Sequence, residues 1–228
     1  MITDWRRKFN LPNLSFFYVE LAAYDREDYK LIRSAQGAAL KLDQVGYVTA
    51  IDLGDPTSPE GPIHPRRKQE VGRRLSLSVR AIQYKEETLV YQGPRVLSFQ
   101  GAISTLFFFP NTSQGLHLNG SAACTTCCSE LPFHVLGSEG NWTRVSGATV
   151  QSPNKLVFET PVKDIFGIRY AWEAYPQCIL YNGIGGPDDH TGIAAAPFEL
   201  CFNPSGLGPW TGQGCKNTFP LDHVVSDI

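Results

Sequence analysis

Residues 45–55 read V-G-Y-V-T-A-I-D-L-G-D, an apolar and β-branched run that closes on two acids. Val45, Tyr47, Val48, Thr49 and Ile51 suit a pleated, buried surface, so the run predicts a strand over 45–51 that ends at Asp52. Upstream, F-F-Y-V-E-L at 16–21 has the same character and predicts another buried strand. Between the two, residues 25–42 place Leu31, Ile32, Ala35, Ala38, Ala39 and Leu42 on one face at helical spacing. Downstream, Pro65 suits the first turn of a helix, where no backbone N–H is needed. Val71, Leu75, Val79 and Ile82 then supply the apolar stripe of a helix over 65–84. Strand, helix, strand, helix implies an α/β fold with a parallel sheet. Two strands make too small a sheet to stand alone, so the rest of it is expected upstream of Met1.

After G-P at 93–94 the pattern changes. Short aromatic and β-branched runs at 96–99, 105–109, 116–118, 155–158 and 165–170 are divided by Gly, Pro, Asn and Ser, with no long helical period. This predicts a β-sandwich-like module over 93–228, following an α/β part over 1–92. The tail from Asn203 onward is rich in Gly and Pro.

Composition bounds the function classes. The chain has 228 residues, 42% hydrophobic and 18% charged, enough apolar content for a sizeable core. A net charge of −2 argues against a nucleic-acid surface, where a basic stripe is expected. No apolar run approaches the roughly 20 residues of a membrane span. The N-x-[S/T] acceptor triplet occurs at Asn13, Asn111, Asn119 and Asn141, four of nine asparagines and more than composition alone would give. Six cysteines (Cys124, Cys127, Cys128, Cys178, Cys201, Cys215) fall in the C-terminal half, an even and clustered set that fits disulfides in an oxidising compartment. The rival reading, zinc on Cys124-x-x-Cys127, lacks a second pair at ligand spacing. The first residues, M-I-T-D-W-R-R-K, have no apolar export run, so a secreted body and its missing signal imply the back part of a longer protein.

The chemistry gathers downstream of the opening stretch. Ligands of open parallel sheets collect at the carboxyl ends of the strands. Asp52, Asp55 and His64 all fall on that edge, with His64 directly before a helix. The helix N-terminus, Arg66 and Arg67 disfavour imidazolium, and a neighbouring carboxylate would fix the tautomer. A neutral, oriented imidazole is what general-base activation of a serine requires. The bland alternative is a loop or capping histidine with turn-forming acids. His117, His134, His190 and His223 have no partner at ligand spacing and read as loop or surface residues. Arg33 and Gln36 share a helix face that either reaches substrate or is simply solvated, and Tyr170 and Trp172 read as packing residues of the β-module.

The block I-D-L-G-D-x(8)-I-H-P-R-R-K-Q-E-V-G-R-R-L resembles the last catalytic block of the sialate O-acetylesterases, SGNH-type serine esterases similar to the carbohydrate acetylesterases. D-W-R-R-K-F, F-Y-V-E-L-A, I-R-S-A-Q and G-I-R-Y-A-W-E-A-Y-P-Q-C-I-L-Y-N at 167–182 fit the same family, and the resemblance covers residues 1–202. It implies the C-terminal part of an SGNH/flavodoxin-like sheet, and a lysosomal or secreted glycoprotein that removes acetyl groups from O-acetylated sialic acids or glycoconjugates without a cofactor. It also implies His64 as base, for which Asp52 is the first choice of acidic partner, Asp55 the second and Glu60 the third. The family's Gly-x-Ser nucleophile block is absent, so the serine is expected in an upstream half of the same enzyme. Gly61 occupies the position three before the histidine, where many SGNH hydrolases carry the acid. Glu20 stands where the resemblance leads to Gln, and the loop after Ala23 looks shortened. The alternative from another class is a non-catalytic secreted module, carbohydrate-binding or regulatory, from a shortened transcript.

Overall fold

The computed structural model describes residues 1–100, 104–110, 115–121, 128–183 and 192–201. A short helix α1 (Ile2–Lys8) precedes strand β1 (Phe16–Glu20). Arg6 of α1 ties it down by donating to the carbonyls of Leu14 at 2.9 Å and Asp43 at 2.6 Å. Helix α2 (Tyr29–Gly37) runs into a 3₁₀ turn (Ala38–Lys41), and strand β2 (Val45–Thr49) follows. The two strands are parallel, in register from Phe16 opposite Val45 to Glu20 opposite Thr49. Helix α3 (Lys68–Ile82) lies across both. It comes so close over β2 that a Cβ on Gly46 would stand 2.6 Å from Ile82 Cδ1 and Ser78 Oγ. Only glycine lets the helix sit there.

Both helices turn a different face inward from the one their apolar spacing predicts. On α2, Leu31 and Ile32 are 61% and 40% exposed, while Arg33 is 1% exposed. The cause is the backbone left unpaired beyond β1. Arg33 donates to the carbonyls of Ala22, Glu173 and Ala174, and Gln36 bridges the Val19 carbonyl and the Leu21 N–H. Buried backbone groups need partners, and these two side chains provide them. Neither side chain sits on a solvated face or is free for substrate. On α3 the fully buried positions are Glu70, Arg74 and Ser78, whereas Val71, Leu75, Val79 and Ile82 are only half-buried. The helix starts at Lys68 rather than Pro65, because Arg66 is held outside it by Asp55.

The remainder is antiparallel. Strands β3 (Val96–Gln100), β4 (Thr105–Phe108), β5 (His117–Gly120), β6 (Phe133–Leu136) and β7 (Trp142–Arg144) come first. Then follow β8 (Gly147–Ser152), β9 (Lys155–Glu159), β10 (Gly167–Tyr170), β11 (Cys178–Tyr181) and β12 (Phe198–Cys201). They form sheets β3-β4-β9-β8 and β12-β10-β6-β7, and the pair β11-β5. Alternate residues of the two four-stranded sheets (Leu106 and Phe108, Leu156 and Phe158, Ile168 and Tyr170, Phe198 and Leu200) share one core. The molecule is thus mixed α/β, with few helices and mostly antiparallel strands. Tyr170 packs in that core as expected, and its hydroxyl accepts the Leu180 N–H at 2.8 Å.

A second cluster joins the halves: Ala23 and Ile51 from the parallel pair pack on Ile179, Tyr181 and Ala194. Cys128 and Cys178 form a disulfide, and Cys201 is also disulfide-bonded. Cys124, Cys127, Cys215, Asn111, His190 and His223 lie outside the described residues. Two histidines read as loop or surface residues are in strands. His117 on β5 stacks on Tyr181 with 5.5 Å between centroids. His134 on β6 is half-buried between Arg144 and Arg169 of the flanking strands. Burial, then the charges of Arg169 and Arg144, push its pKa down to about 4. No described helix is long and apolar enough to cross a membrane.

Candidate active site

Strand β2 hands the chain to the 51–55 turn, and there the two acids part. The Asp52 side chain turns inward and is fully buried. Arg74 Nη1 and Nη2 donate to its two oxygens at 2.7 Å each, and Tyr181 Oη donates to Oδ2 at 3.1 Å. Arg74 also donates to Glu70 Oε1 at 2.7 Å and to the Thr49 carbonyl at 3.0 Å. Arg73 holds the same Glu70 carboxylate at 2.7 and 2.8 Å. Burial, then the Asp52 charge, raise the Tyr181 phenol far above its usual range, so it stays a donor. The two charges of Asp52 and Arg74 are thus paired and almost fully hydrogen-bonded, the condition under which a buried ion pair is tolerated.

Asp55 faces the other way. Its Oδ2 accepts the Arg66 N–H at 3.2 Å and Nε at 2.6 Å, while Oδ1 accepts Arg66 Nη2 at 2.9 Å and Thr57 Oγ1 at 3.3 Å. The Arg66 side-chain hydrogen bonds hold its carboxyl at about 2, well below the usual range. Arg66 lies two residues past His64, so this clamp fixes the loop on which the histidine rides. Within that loop Ser58 Oγ donates to the His64 carbonyl at 2.5 Å, and the His64 N–H donates to Gly61 O at 2.9 Å across a turn where Gly61 has φ +90°. His64 is exposed, and its ring hydrogen-bonds to none of the described residues.

Asp55 and His64 therefore share one clamped loop, and Asp52 is anchored beneath it. The expected pairing of His64 with Asp52 is not made, nor is one with Asp55. Each carboxylate is committed to an arginine, because Arg74 and Arg66 offer planar, bidentate forks that imidazole cannot match. Glu60 is an exposed loop residue. The R-R pair one helical turn after Glu70 was the signal in the sequence for the buried network; spacing of apolar residues cannot show it.

Two further residues line this edge. Gly54 leaves no room for a side chain: a Cβ there would stand 2.8 Å from Tyr175 Oη and 2.9 Å from the Ala23 carbonyl oxygen. Tyr175 thereby packs the C-terminal half directly onto the acid-bearing turn. Glu20, at the end of β1, is buried, and one of its carboxylate oxygens has no partner among the described residues. Burial raises its pKa from 4.5 to about 7, against the lowering effects of Thr49 and Arg33. Folded protein then holds a proton that the unfolded chain has released, so stability falls as pH rises from 4.5 to 7 and stays low above that. The decline from this group is on the order of 3 kcal/mol. Glu20→Gln is expected to remove it, flattening the pH dependence of thermal unfolding across that window; a variant that keeps the wild-type slope would show Glu20 ionised throughout.

No family model matches the chain. Among curated proteins, human sialate O-acetylesterase is 28% identical over 178 residues, which is 74% of this chain and 31% of that protein. The mouse enzyme is 28% identical over 210 residues, 80% and 37% of the two chains. The protein of the same name from Pongo abelii is 30% identical over 152 residues, 62% and 27%. This chain is a relative of the sialate O-acetylesterases. It spans about a third of the length of those curated relatives. In three dimensions it is similar to the crystal structure of a carbohydrate acetylesterase from Xanthomonas citri, with a TM-score of 0.63 at 28% identity over 88% of this chain and 44% of that one. The sequence is thus similar to sialate O-acetylesterases, and the fold to a carbohydrate acetylesterase.

Proposed function

We propose that the chain is the histidine-bearing part of a serine O-acetylesterase acting on O-acetylated sialic acids. The observation that carries this is the His64 loop: an exposed imidazole that hydrogen-bonds to none of the described residues, clamped beside the carboxyl edge of a parallel strand pair, in a relative of acetylesterases. A nucleophilic serine from an upstream half would lose its proton to His64 as it attacks the acetyl carbonyl. His64 would return that proton to the departing sugar hydroxyl, and water would then release acetate from the acetyl-enzyme. Backbone N–H groups of the upstream half would hold the oxyanion. Asp52 and Asp55 serve as positioning residues, one anchoring the loop through Arg74 and the other clamping it through Arg66.

On this reading β1, β2 and the helices are the end of an SGNH-type parallel sheet over residues 1–92, and a β-sandwich-like module occupies 93–228. The exposed apolar side chains of Leu31 and Ile32 agree with a surface that the upstream half would cover. We place the protein in the lysosomal or secreted pathway. The disulfide supports this, and Asn13 and Asn141 are exposed, with Asn119 half-buried on β5, as glycan acceptors. The test is acetate release from an O-acetylated sialic acid glycoside. The complete protein is expected to release acetate and the 228-residue chain alone to release none. Release by the short chain would place the nucleophile within it, and no release by the complete protein would refute the assignment.

A further inference from the structure

A cavity of about 270 Å³ opens between residues 129–132 and 173–178, next to the Cys128–Cys178 disulfide. Its lining combines Tyr175 and Pro176 with Glu130, Glu173, Arg144 and Gln177. Arg144 reaches across it, donating to the Leu131 carbonyl at 2.7 Å and Glu173 Oε1 at 2.8 Å, with Glu130 Oε2 at 3.4 Å. The two hydrogen bonds use two of the five guanidinium donors, the Glu130 contact being an ion pair, and among the described residues they leave carboxylate lone pairs open. An aromatic residue among hydrogen-bonding donors and acceptors suits a ring with an apolar C–H face and a rim of hydroxyls. The volume falls just under the roughly 300–1,000 Å³ usual for drug-sized ligands, so it suits one ring rather than a chain of them. The formal charge of the walls is one arginine against two glutamates, net −1, which disfavours an anionic sugar. Tyr175 also packs on Gly54, so the cavity adjoins the turn that bears Asp52 and Asp55.

We propose that this cavity is a subsite for a neutral hexopyranose, the sugar next to the acetylated residue in a glycan, held on Tyr175 by Glu130, Arg144 and Gln177. It rests on the acetylesterase reading only for its purpose. Binding is read without turnover, so an inactive protein that still binds through these residues would keep the subsite and lose the esterase, and an active one whose binding ignores them would do the reverse. The experiment is saturation-transfer NMR of the complete protein with methyl galactopyranoside, and with N-acetylneuraminic acid as the anionic comparison. The neutral glycoside is expected to bind with a dissociation constant of about 1–10 mM. The double variant Glu130→Ala/Gln177→Ala removes an exposed glutamate and an exposed glutamine whose side chain hydrogen-bonds to none of the described residues, so folding is spared. It should bind about fivefold more weakly or worse. No transfer to the neutral glycoside, transfer unaltered in the double variant, or a loss in that variant confined to the anionic sugar would each overturn the proposal.

Discussion

His64→Ala in the complete enzyme is expected to lower kcat for acetyl-ester hydrolysis by roughly four to six orders of magnitude, the usual cost of removing a triad base. The same change should leave the fold alone. The ring is exposed and hydrogen-bonds to none of the described residues, and surface substitutions of that kind stay within about 0.5 kcal/mol. The two measurements together are diagnostic: an intact melting curve with no turnover assigns the loss to chemistry. A folded His64→Ala enzyme that keeps more than about a tenth of wild-type activity would take His64 out of the mechanism, since no triad base is that dispensable.

Asp52→Asn is expected to act through stability instead. It leaves Arg74 buried with Glu70 as its remaining carboxylate and strips the Tyr181 hydroxyl of its charged acceptor. Breaking one side of a buried ion pair costs about 3–5 kcal/mol, a large share of a typical domain's stability of about 5–15 kcal/mol. Replacing the pair together, as Asp52→Leu with Arg74→Met, should recover part of the loss, because no unpaired charge then stays in the interior. Denaturant unfolding of the three proteins decides the matter. An Asp52→Asn enzyme of wild-type stability that had lost only kcat would return Asp52 to the role of direct partner to the imidazole.

That contrast marks where the sequence was legible. The runs at 16–21 and 45–51 announced β1 and β2 because β-branched and aromatic residues in a row have few other uses. Apolar spacing does not predict the inward faces of α2 and α3, because counting apolar positions cannot foresee a buried arginine. Arg33 is inside because carbonyls 11, 140 and 141 residues away await it. Arg74 is inside because Asp52 and Glu70 converge on it. Short strands such as β7, three residues of W-T-R, carry too little pattern to be recognised before their neighbours are known. For the site, the position of His64 in its loop was readable, while the partners of the acids were not. Those partners are set by three-dimensional competition between arginine and imidazole for the same oxygens.

The hydrogen bond from Tyr181 to Asp52 spans 129 residues, and that from Arg33 to the Glu173 carbonyl spans 140. On the ribosome, at about 5–20 residues per second, the turn that carries the acids is synthesised roughly ten seconds before the groups that complete its surroundings. During that interval Arg33 has only the Ala22 carbonyl of its three partners, and Ile51 has no Ile179 or Ala194 to pack against. The early part of the chain must therefore wait in an unfinished state, sheltered by whatever binds nascent apolar surface. A messenger cut short between Lys68 and Tyr181 would yield a product that contains the His64 loop and lacks the Tyr181 contact to Asp52 beneath it.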